Sequence, residues 1–382
     1  MRILVAPDKF KGTLTGAEAA EAMAAGVRRV LPEADITLQP IADGGEGTLE
    51  AVLAAGGVRH ETTVRGPLED SVTAPWALTG SVAVIETARA SGLEFVMPTP
   101  GTAGSAHCYG SGELLSAALD AGATEVVLGV GGSAMSDGGS GALRALGARI
   151  LDAEGVELPL GGLALSRAAV LDLSGLDPRL QDVQLRIAVD VQNPLCGPDG
   201  AAHIFGAQKG ADADLREALD ASLAHWARLL LDTTGVDVQQ PGAGAAGGFP
   251  SAFLACANAS LEPGFDLVAD LTGLNSKLAA TDLVLTGEGS LDAQSQFGKA
   301  PLGLANRAHS RGLPVLAVAG RITLSAPELA ANGVVHARSL ADTAPSLTAA
   351  MNDAGRFTAD ASEWVLRALL SNQSGLTGTL PG

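Results

Sequence analysis

Short aliphatic runs alternate with longer Ala- and Leu-rich segments at helical spacing along most of this chain. This alternation is typical of an α/β protein with a largely parallel sheet. At the start of the chain, residues 3–6 predict a buried strand, and the capping box from Thr15 to Glu18 predicts a helix that reaches about residue 31. Residues 60–87 contain strand-like runs broken by Gly-Pro and Asp-Ser, which predict antiparallel pieces.

The length of 382 residues predicts two domains, because a single core stops growing near about 250 to 300 residues. Neither a repeat nor a low-complexity linker separates the two halves of the sequence. We therefore expect one domain to be inserted in the other, with the first and last strand-helix units sharing a sheet.

The charge and the cysteines limit the class of protein. A net charge of −18 repels phosphate backbones and excludes a general nucleic-acid binder. The three cysteines are far apart and lack metal-ligand spacing, so they predict neither a disulfide framework nor a zinc site. Because no apolar run approaches about 18 residues, we expect no membrane partner and a cytoplasmic location.

Four segments combine glycine with carboxylate or hydroxyl side chains, and each follows a predicted strand or opens a predicted helix. Glycine lets backbone N–H groups approach an anion, and a helix N-terminus adds partial positive charge. The pattern predicts turns that bind phosphate at the carboxyl ends of strands. The segments are residues 43–47, 131–139, 241–248 and 286–292.

The acids in these turns need a second explanation, since phosphate alone would favour basic residues. Magnesium held by one or two carboxylates and by substrate phosphates would explain them, and an aspartate at a strand end can accept a proton from a hydroxyl. Asp190 has such a position, directly after residues 187–189. The simpler alternative is that Asp43 and Asp137 only cap helices or turns.

Known sequence motifs narrow the chemistry further. A G-x-x-x-x-G-K-[ST] sequence is absent, which excludes a P-loop kinase. Residues 129–134 fit the loose dinucleotide form G-x-G-x-x-A, and Asp152 lies at a suitable distance, so a nicotinamide-dependent oxidoreductase is an alternative. That fit is weak, because residues 136–139 place a carboxylate and two glycines where the helix should begin.

The glycine-rich segments and their neighbours together resemble the bacterial glycerate kinase family of type I. The resemblance runs in order from residue 3 to about residue 320. It rests on residues 6–12 (APDKFKG), 42–48 (ADGGEGT), 131–134 with 137–139, Asp190 with 193–195, 241–248, and 286–289 with 291–292, 294–295 and 298–299.

This resemblance implies ATP-dependent phosphorylation of D-glycerate to 2-phosphoglycerate, with Mg²⁺ as a cofactor. It also implies two α/β domains with an active site in the cleft between them. One is a Rossmann- or flavodoxin-like parallel-sheet domain of residues 1–65 and 285–382, and the other is an inserted domain of residues 66–284. A homodimer is a further expectation. The alternatives are a glycerate 3-kinase, the oxidoreductase, and a non-catalytic protein that binds a phosphorylated metabolite.

Position and chemistry, together with the resemblance, suggest a role for each candidate residue. Asp190 is the predicted general base, and Lys11 and Lys299 are predicted to bind the substrate carboxylate or the transferring phosphoryl group. The predicted glycerate contacts are Asp8, Asp43, Gly44, Gly45, Glu46 and Asn193. The predicted phosphate contacts are Gly131, Gly132, Ser133, Asp137 and Gly287, and the predicted magnesium ligands are Glu288 and Asp292.

Overall fold

The structure is a computed structural model that describes residues 1–293, 295 and 300–376. Its strands are β1 (Arg2–Pro7), β2 (Asp35–Leu38), β3 (Val58–Arg65), β4 (Ser71–Thr79), β5 (Val82–Glu86), β6 (Glu125–Gly129), β7 (Arg149–Leu151), β8 (Val170–Asp172), β9 (Gln184–Ala188), β10 (Ala259–Glu262), β11 (Leu283–Leu291), β12 (Val315–Ile322) and β13 (Val334–Ser339).

The helices alternate with these strands through most of the chain, as predicted. They are α1 (Gly16–Val30), α2 (Thr48–Ala54), α3 (Ala88–Ser91), α4 (Pro100–Ser105), α5 (Tyr109–Asp120), α6 (Ser140–Ala145), α7 (Ala201–Phe205), α8 (Ala213–Thr234), α9 (Ala245–Cys256), α10 (Gly264–Leu271), α11 (Leu274–Ala279), α12 (Ala300–His309), α13 (Ala326–Ala331), α14 (Leu347–Asn352) and α15 (Ala354–Leu376). Within the described ranges, no helix combines the length and the apolar character that a bilayer crossing requires.

The chain forms two compact units. The first contains residues 1–43, 50–55 and 265 onward, and the second contains residues 44–49 and 56–264. These limits fall earlier along the chain than the predicted limits at 65/66 and 284/285. The reason is that β3 pairs with β4 in the second unit's sheet, whereas α10 and α11 contribute to the core of the first unit.

The first unit is a parallel sheet in the order β13-β12-β11-β1-β2. Side chains of β1 alternate between two cores, with Ile3 and Val5 on one side and Leu4 and Ala6 on the other, so helices cover both faces. The predicted capping box opens α1, since Thr15 Oγ1 accepts from Glu18 N at 3.2 Å and Glu18 Oε2 accepts from Thr15 N at 2.8 Å.

The second unit is a mixed sheet in the order β10-β9-β6-β5-β4-β3. β3, β4 and β5 are antiparallel neighbours, which confirms the prediction for residues 60–87, and β5, β6, β9 and β10 are parallel. The short strands β7 and β8 form a separate antiparallel pair. One continuous core, including Trp226, Phe249 and Phe253, lies against the main sheet.

The predicted turn at residues 286–292 is wrong. β11 continues through Gly287 and Glu288 to Leu291, because it pairs with β1 on one side and with β12 on the other. Gly287 is needed here for packing, since a Cβ at this position would lie 1.8 Å from Val318 O. The glycine therefore allows two strand backbones to approach each other.

Candidate active site

Four parallel strands of the second unit end at the same edge of its sheet. Gly131 and Gly132 follow β6 at this edge, and Asp190 lies two residues beyond the end of β9. In open α/β sheets, ligands bind outside the carboxyl ends of the strands. This edge therefore contains two of the predicted phosphate contacts, Gly131 and Gly132, and the predicted base, Asp190.

The segment from Gly44 to Glu46 belongs to the same edge. Gly44 has a φ of +85°, and a Cβ on it would lie 2.4 Å from the Cβ of Ala188 at the end of β9. A Cβ on Gly131 would lie 3.1 Å from the Cα of Gly45. The structure thus brings the predicted glycerate contacts Gly44 and Gly45 beside the predicted phosphate turn, and Glu46 is exposed there.

Glu86 holds this segment in place. It ends β5 and is 3% exposed, and its Oε1 accepts hydrogen bonds from the backbone N–H groups of Gly47 and Leu49, both at 3.0 Å. Its Oε2 accepts from Arg89 Nε at 2.8 Å. Sequence reasoning missed Glu86, although a glutamate that ends a buried aliphatic strand was a usable signal.

The predicted phosphate segment has an exposed part and a buried part. Gly131 and Gly132 are exposed, whereas every residue from Ser133 to Gly139 is buried. Cβ atoms on Gly139 and Gly247 would lie 2.5 Å from Phe249 O and 2.1 Å from Met135 O. The glycines of the buried part therefore serve backbone packing between two chain segments, and only Gly131 and Gly132 face solvent.

Asp137 points into the interior of the second unit. Its side chain is fully buried, and its Oδ2 accepts hydrogen bonds from Cys108 N at 3.0 Å, Cys108 Sγ at 3.2 Å and Gly141 N at 3.2 Å. Its Oδ1 accepts from Gly139 N at 3.3 Å. The structure does not bring Asp137 to the surface with Gly131 and Gly132.

Asp190 is exposed, and its Oδ1 accepts a hydrogen bond from Gly264 N at 2.9 Å. Asn193 is half-buried, and its Nδ2 donates to Asp199 O at 2.9 Å. The carbonyl oxygen of Asn193 accepts from Gly244 N at 3.0 Å. Asn193 therefore anchors the loop after β9, while Asp190 faces solvent at the strand end.

The first unit gathers acids at the carboxyl end of β1. Pro7 pairs with Gly287 on β11, which makes Asp8 and Glu288 neighbours at the next position. Burial raises the pKa of Asp8 to about 7; the charge of Lys9 opposes this rise, and the charges of Asp43 and Glu288 add to it. Asp8 is 7% exposed, and with this raised pKa its carboxyl group is partly protonated near neutral pH.

The predicted magnesium ligands lie on and directly after β11. Glu288 Oε1 accepts from Ser295 Oγ at 2.8 Å, and Asp292 Oδ2 accepts from Ser290 Oγ at 3.0 Å. Among the described residues, no group of three His, Cys, Asp or Glu side chains is arranged to hold a metal ion. Magnesium needs only one or two protein carboxylates when substrate phosphates supply further oxygens, so Glu288 and Asp292 remain candidate ligands.

Of the two predicted catalytic lysines, Lys11 belongs to the first unit. Lys11 is exposed, and its backbone nitrogen lies 3.2 Å from the position that a Cβ on Gly289 would take. Lys299 lies outside the described residues.

A third lysine, Lys209, was not predicted to act. It is 2% exposed and lies in the second unit, where its Nζ donates to Met135 O at 2.5 Å and to Ser133 Oγ at 3.5 Å. Burial lowers its pKa to about 8, and the carboxylate of Asp137 opposes this decrease. The sequence offered one signal for Lys209, which is that lysine is rare in this chain and Lys209 is one of only five.

Comparison with known proteins identifies the family. The model of the glycerate kinase family matches residues 3–370. This chain belongs to the glycerate kinase family. A protein of Escherichia coli K12 named glycerate 2-kinase is 44% identical over 341 residues, 88% of each chain. A glycerate kinase of Bacillus subtilis 168 is 42% identical over 361 residues, 94% of each chain.

The fold agrees with that membership. A crystal structure assigned as glycerate kinase 2 from Salmonella typhimurium LT2 matches with a TM-score of 0.86 and 40% identity, covering 98% of this chain and 99% of the other. The predicted α/β fold class, the family and the enzyme class of glycerate kinase are confirmed. These matches favour the predicted kinase over the nicotinamide-dependent oxidoreductase.

Proposed function

We propose that this protein transfers the γ-phosphoryl group of ATP to the 2-hydroxyl group of D-glycerate and releases 2-phosphoglycerate. The observation that carries the proposal is its 44% identity to a protein named glycerate 2-kinase. The family match over residues 3–370 includes every residue to which a role is assigned here.

Asp190 is the proposed general base. It lies at a strand end and is exposed, so a substrate hydroxyl group can reach it. The bond from Gly264 N to one of its oxygens restricts the orientation of the carboxylate. In phosphoryl transfer such an aspartate accepts the proton of the attacking hydroxyl group, and positioning and charge stabilisation supply most of the catalysis.

Phosphate oxygens are proposed to bind the exposed backbone of Gly131 and Gly132. Both residues lack side chains that would obstruct an anion, and Gly132 has a φ of +73°, which glycine adopts at little cost. Gly45, next to Gly131, is proposed to contact glycerate. The hydroxyl groups of glycerate can donate to the carboxylates of Glu46, Asp43 or Asp8.

The remaining charges have proposed roles on the anionic groups. Lys11 and Lys299 would attract the glycerate carboxylate or the transferring phosphoryl group as point charges. Glu288 and Asp292 would hold Mg²⁺, which neutralises phosphate charge when it is bound. We also propose a cytoplasmic location and a homodimer, and light scattering of the purified protein measures the latter.

The test is an assay with ATP, Mg²⁺ and D-glycerate, coupled to enolase. We expect an enolase signal without added phosphoglycerate mutase, because enolase consumes 2-phosphoglycerate directly. A signal that requires the mutase would identify the 3-isomer and reject the proposed position of transfer. Absence of glycerate-dependent ADP release would reject the kinase, and a change in absorbance at about 340 nm with NAD would favour the oxidoreductase.

A further inference from the structure

Lys209 is a buried cation directly behind the exposed Gly131–Gly132 turn. Its Nζ bonds Ser133 Oγ and Met135 O, the first residues of the buried part of that segment. The turn is also held from outside, because Leu93 N donates to Gly132 O at 2.9 Å and Ala134 N donates to Ser91 O at 2.9 Å. The ammonium group thus completes the support of the turn on its inner side.

Two neutral oxygens do not require a charged partner. Burying an ammonium group is costly, and a neutral donor could bond a hydroxyl and a carbonyl without that cost. Asp137 is the charged group that opposes the burial effect on Lys209, but four hydrogen bonds within its own unit already engage the Asp137 carboxylate. The carboxylate of Asp137 therefore offsets only part of the burial effect on Lys209, whose pKa remains lowered at about 8.

We propose that Lys209 is a positioning residue for phosphate. It fixes the Gly131–Gly132 turn from its buried side, and it supplies the positive charge that attracts a phosphate group to the exposed glycine N–H groups. The proposal rests on the proposed function, which assigns phosphate to this turn. Because Lys209 is 2% exposed, it acts through the turn and through its electric field without touching the ligand. Little solvent screens that field, so the charge attracts an anion more strongly than a surface lysine would.

The direct test is the binding of ADP and of 2-phosphoglycerate, measured separately by calorimetry at neutral pH. Lys209→Met keeps the length of the side chain and removes its charge. We expect about a ten- to thirtyfold weaker affinity for the compound whose phosphate occupies the turn, since a buried positive charge that bonds the residues next to the turn is lost. A loss for ADP alone assigns the turn to the nucleotide, and a loss for 2-phosphoglycerate alone assigns it to the substrate.

Lys277→Met is the matched control. Lys277 is half-buried in the first unit, and its Nζ also bonds a neutral oxygen, Oε1 of Gln39. This variant loses the same charge and should bind both compounds as wild type does. Equal affinity of wild type and Lys209→Met for both compounds, or absence of binding of either compound to wild type, overturns the proposal.

Steady-state kinetics distinguish a role in phosphate binding from a merely structural role, because a structural role would not change the KM of one substrate alone. If the turn holds the nucleotide, Lys209→Met should raise the KM for ATP and leave the KM for glycerate unchanged. Uniform loss of kcat with both KM values unchanged contradicts the proposal. Wild type that binds ADP but never phosphorylates glycerate would reject the proposed function, yet a weaker affinity in Lys209→Met would still support the role of Lys209.

If Lys209→Met does not fold, the test is the pH dependence of the affinity of wild type for ADP and 2-phosphoglycerate. Asp137 is the charged group that acts on Lys209, and His107 and Cys108 are titratable groups that interact with Asp137. Burial lowers the pKa of His107 and raises the pKa of Cys108 well above its usual value. Between about pH 7 and about pH 9, Lys209 therefore loses its charge while His107 stays neutral and Cys108 stays protonated. Affinity should fall as the pH rises through about 8, in wild type and in Lys277→Met alike, and a constant affinity overturns the proposal.

Discussion

The parallel strands of the two main sheets present contrasting chemistry at their carboxyl ends. At the edge of the first unit, Asp8, Asp43 and Glu288 crowd together, and burial keeps the carboxyl group of Asp8 partly protonated near neutral pH. At the edge of the second, exposed glycine backbone lies in front of a buried cation, Lys209. The first arrangement suits metal ions and hydroxyl groups, whereas the second suits anions.

Each of the two edges contains a buried titratable side chain. Asp8 and Lys209 are each almost fully buried, and burial disfavours the charged form of both. Neither residue is where stability alone would place it, because an uncharged side chain would avoid the desolvation cost. Each unit therefore loses some stability at the edge where its function is proposed.

The largest expected effect tests whether the second edge carries chemistry in addition to binding. Asp190→Asn should lower kcat by about 10²- to 10⁴-fold, because the amide cannot accept the hydroxyl proton. The fold should persist, since the amide oxygen can still accept from Gly264 N. The coupled enolase assay measures the change in kcat. The control is Asp232→Asn, which replaces an exposed aspartate on α8. Near-normal turnover of Asp190→Asn would leave the second edge with binding alone.

The next effect distinguishes a glycine that backbone packing requires from a glycine proposed to bind phosphate at the same edge. Gly44→Ala should lower the free energy of unfolding by about 3 kcal/mol, because φ is positive and the new Cβ would meet Ala188 Cβ at 2.4 Å and Gly264 Cα at 2.9 Å. Gly132→Ala should cost about 1 kcal/mol, since its Cβ would meet only Ala88 Cβ at 3.4 Å. Urea unfolding compares the two variants, and equal losses would contradict this distinction.

The third comparison concerns the acidic edge of the first unit. The pKa of Asp8 is about 7 in the folded protein and about 3.9 in an unfolded chain, so ionisation of Asp8 destabilises the fold as the pH rises from about 4 to about 7. Asn cannot ionise, and Asp8→Asn should therefore gain about 2 to 3 kcal/mol relative to wild type over that range. Urea unfolding in metal-free buffer measures the gain.

Exposed Asp35 supplies the control for that experiment. Because solvent surrounds its side chain, Asp35→Asn should change the free energy of unfolding less than Asp8→Asn does at the upper end of this range. A pH-independent difference between Asp8→Asn and wild type would mean that the first edge does not raise the pKa of Asp8, and the contrast between the two edges would weaken.

Local signals predicted much of the fold and the family. The capping box from Thr15 to Glu18 opens α1 because it depends only on neighbouring residues. Strands such as β1 and β6 are buried on both faces and appear in the sequence as continuous aliphatic runs. The glycine segments carried the resemblance to the glycerate kinase family, which the comparison with known proteins confirmed.

The features that sequence reasoning missed depend on contacts between residues that are distant in the sequence. Nothing near Gly287 indicates that β12 will pair with it and extend β11, so a turn was predicted there. Gly139 and Gly247 require glycine because of backbone that is close in space and distant in sequence. The importance of Lys209 likewise depends on its contact with Met135, 74 residues earlier in the chain.

The chain order of the two units has a consequence for synthesis of the protein. β1 pairs with β2 at residues 35–38 and with β11 from residue 283. At about 5 to 20 residues per second, roughly 12 to 50 seconds pass between the emergence of β2 and that of β11. During this interval the second unit is made in full, while the apolar surface of β1 lacks most of its final partners. We therefore expect substitutions that slow translation or folding of the middle of the chain to promote aggregation through the N-terminal strand.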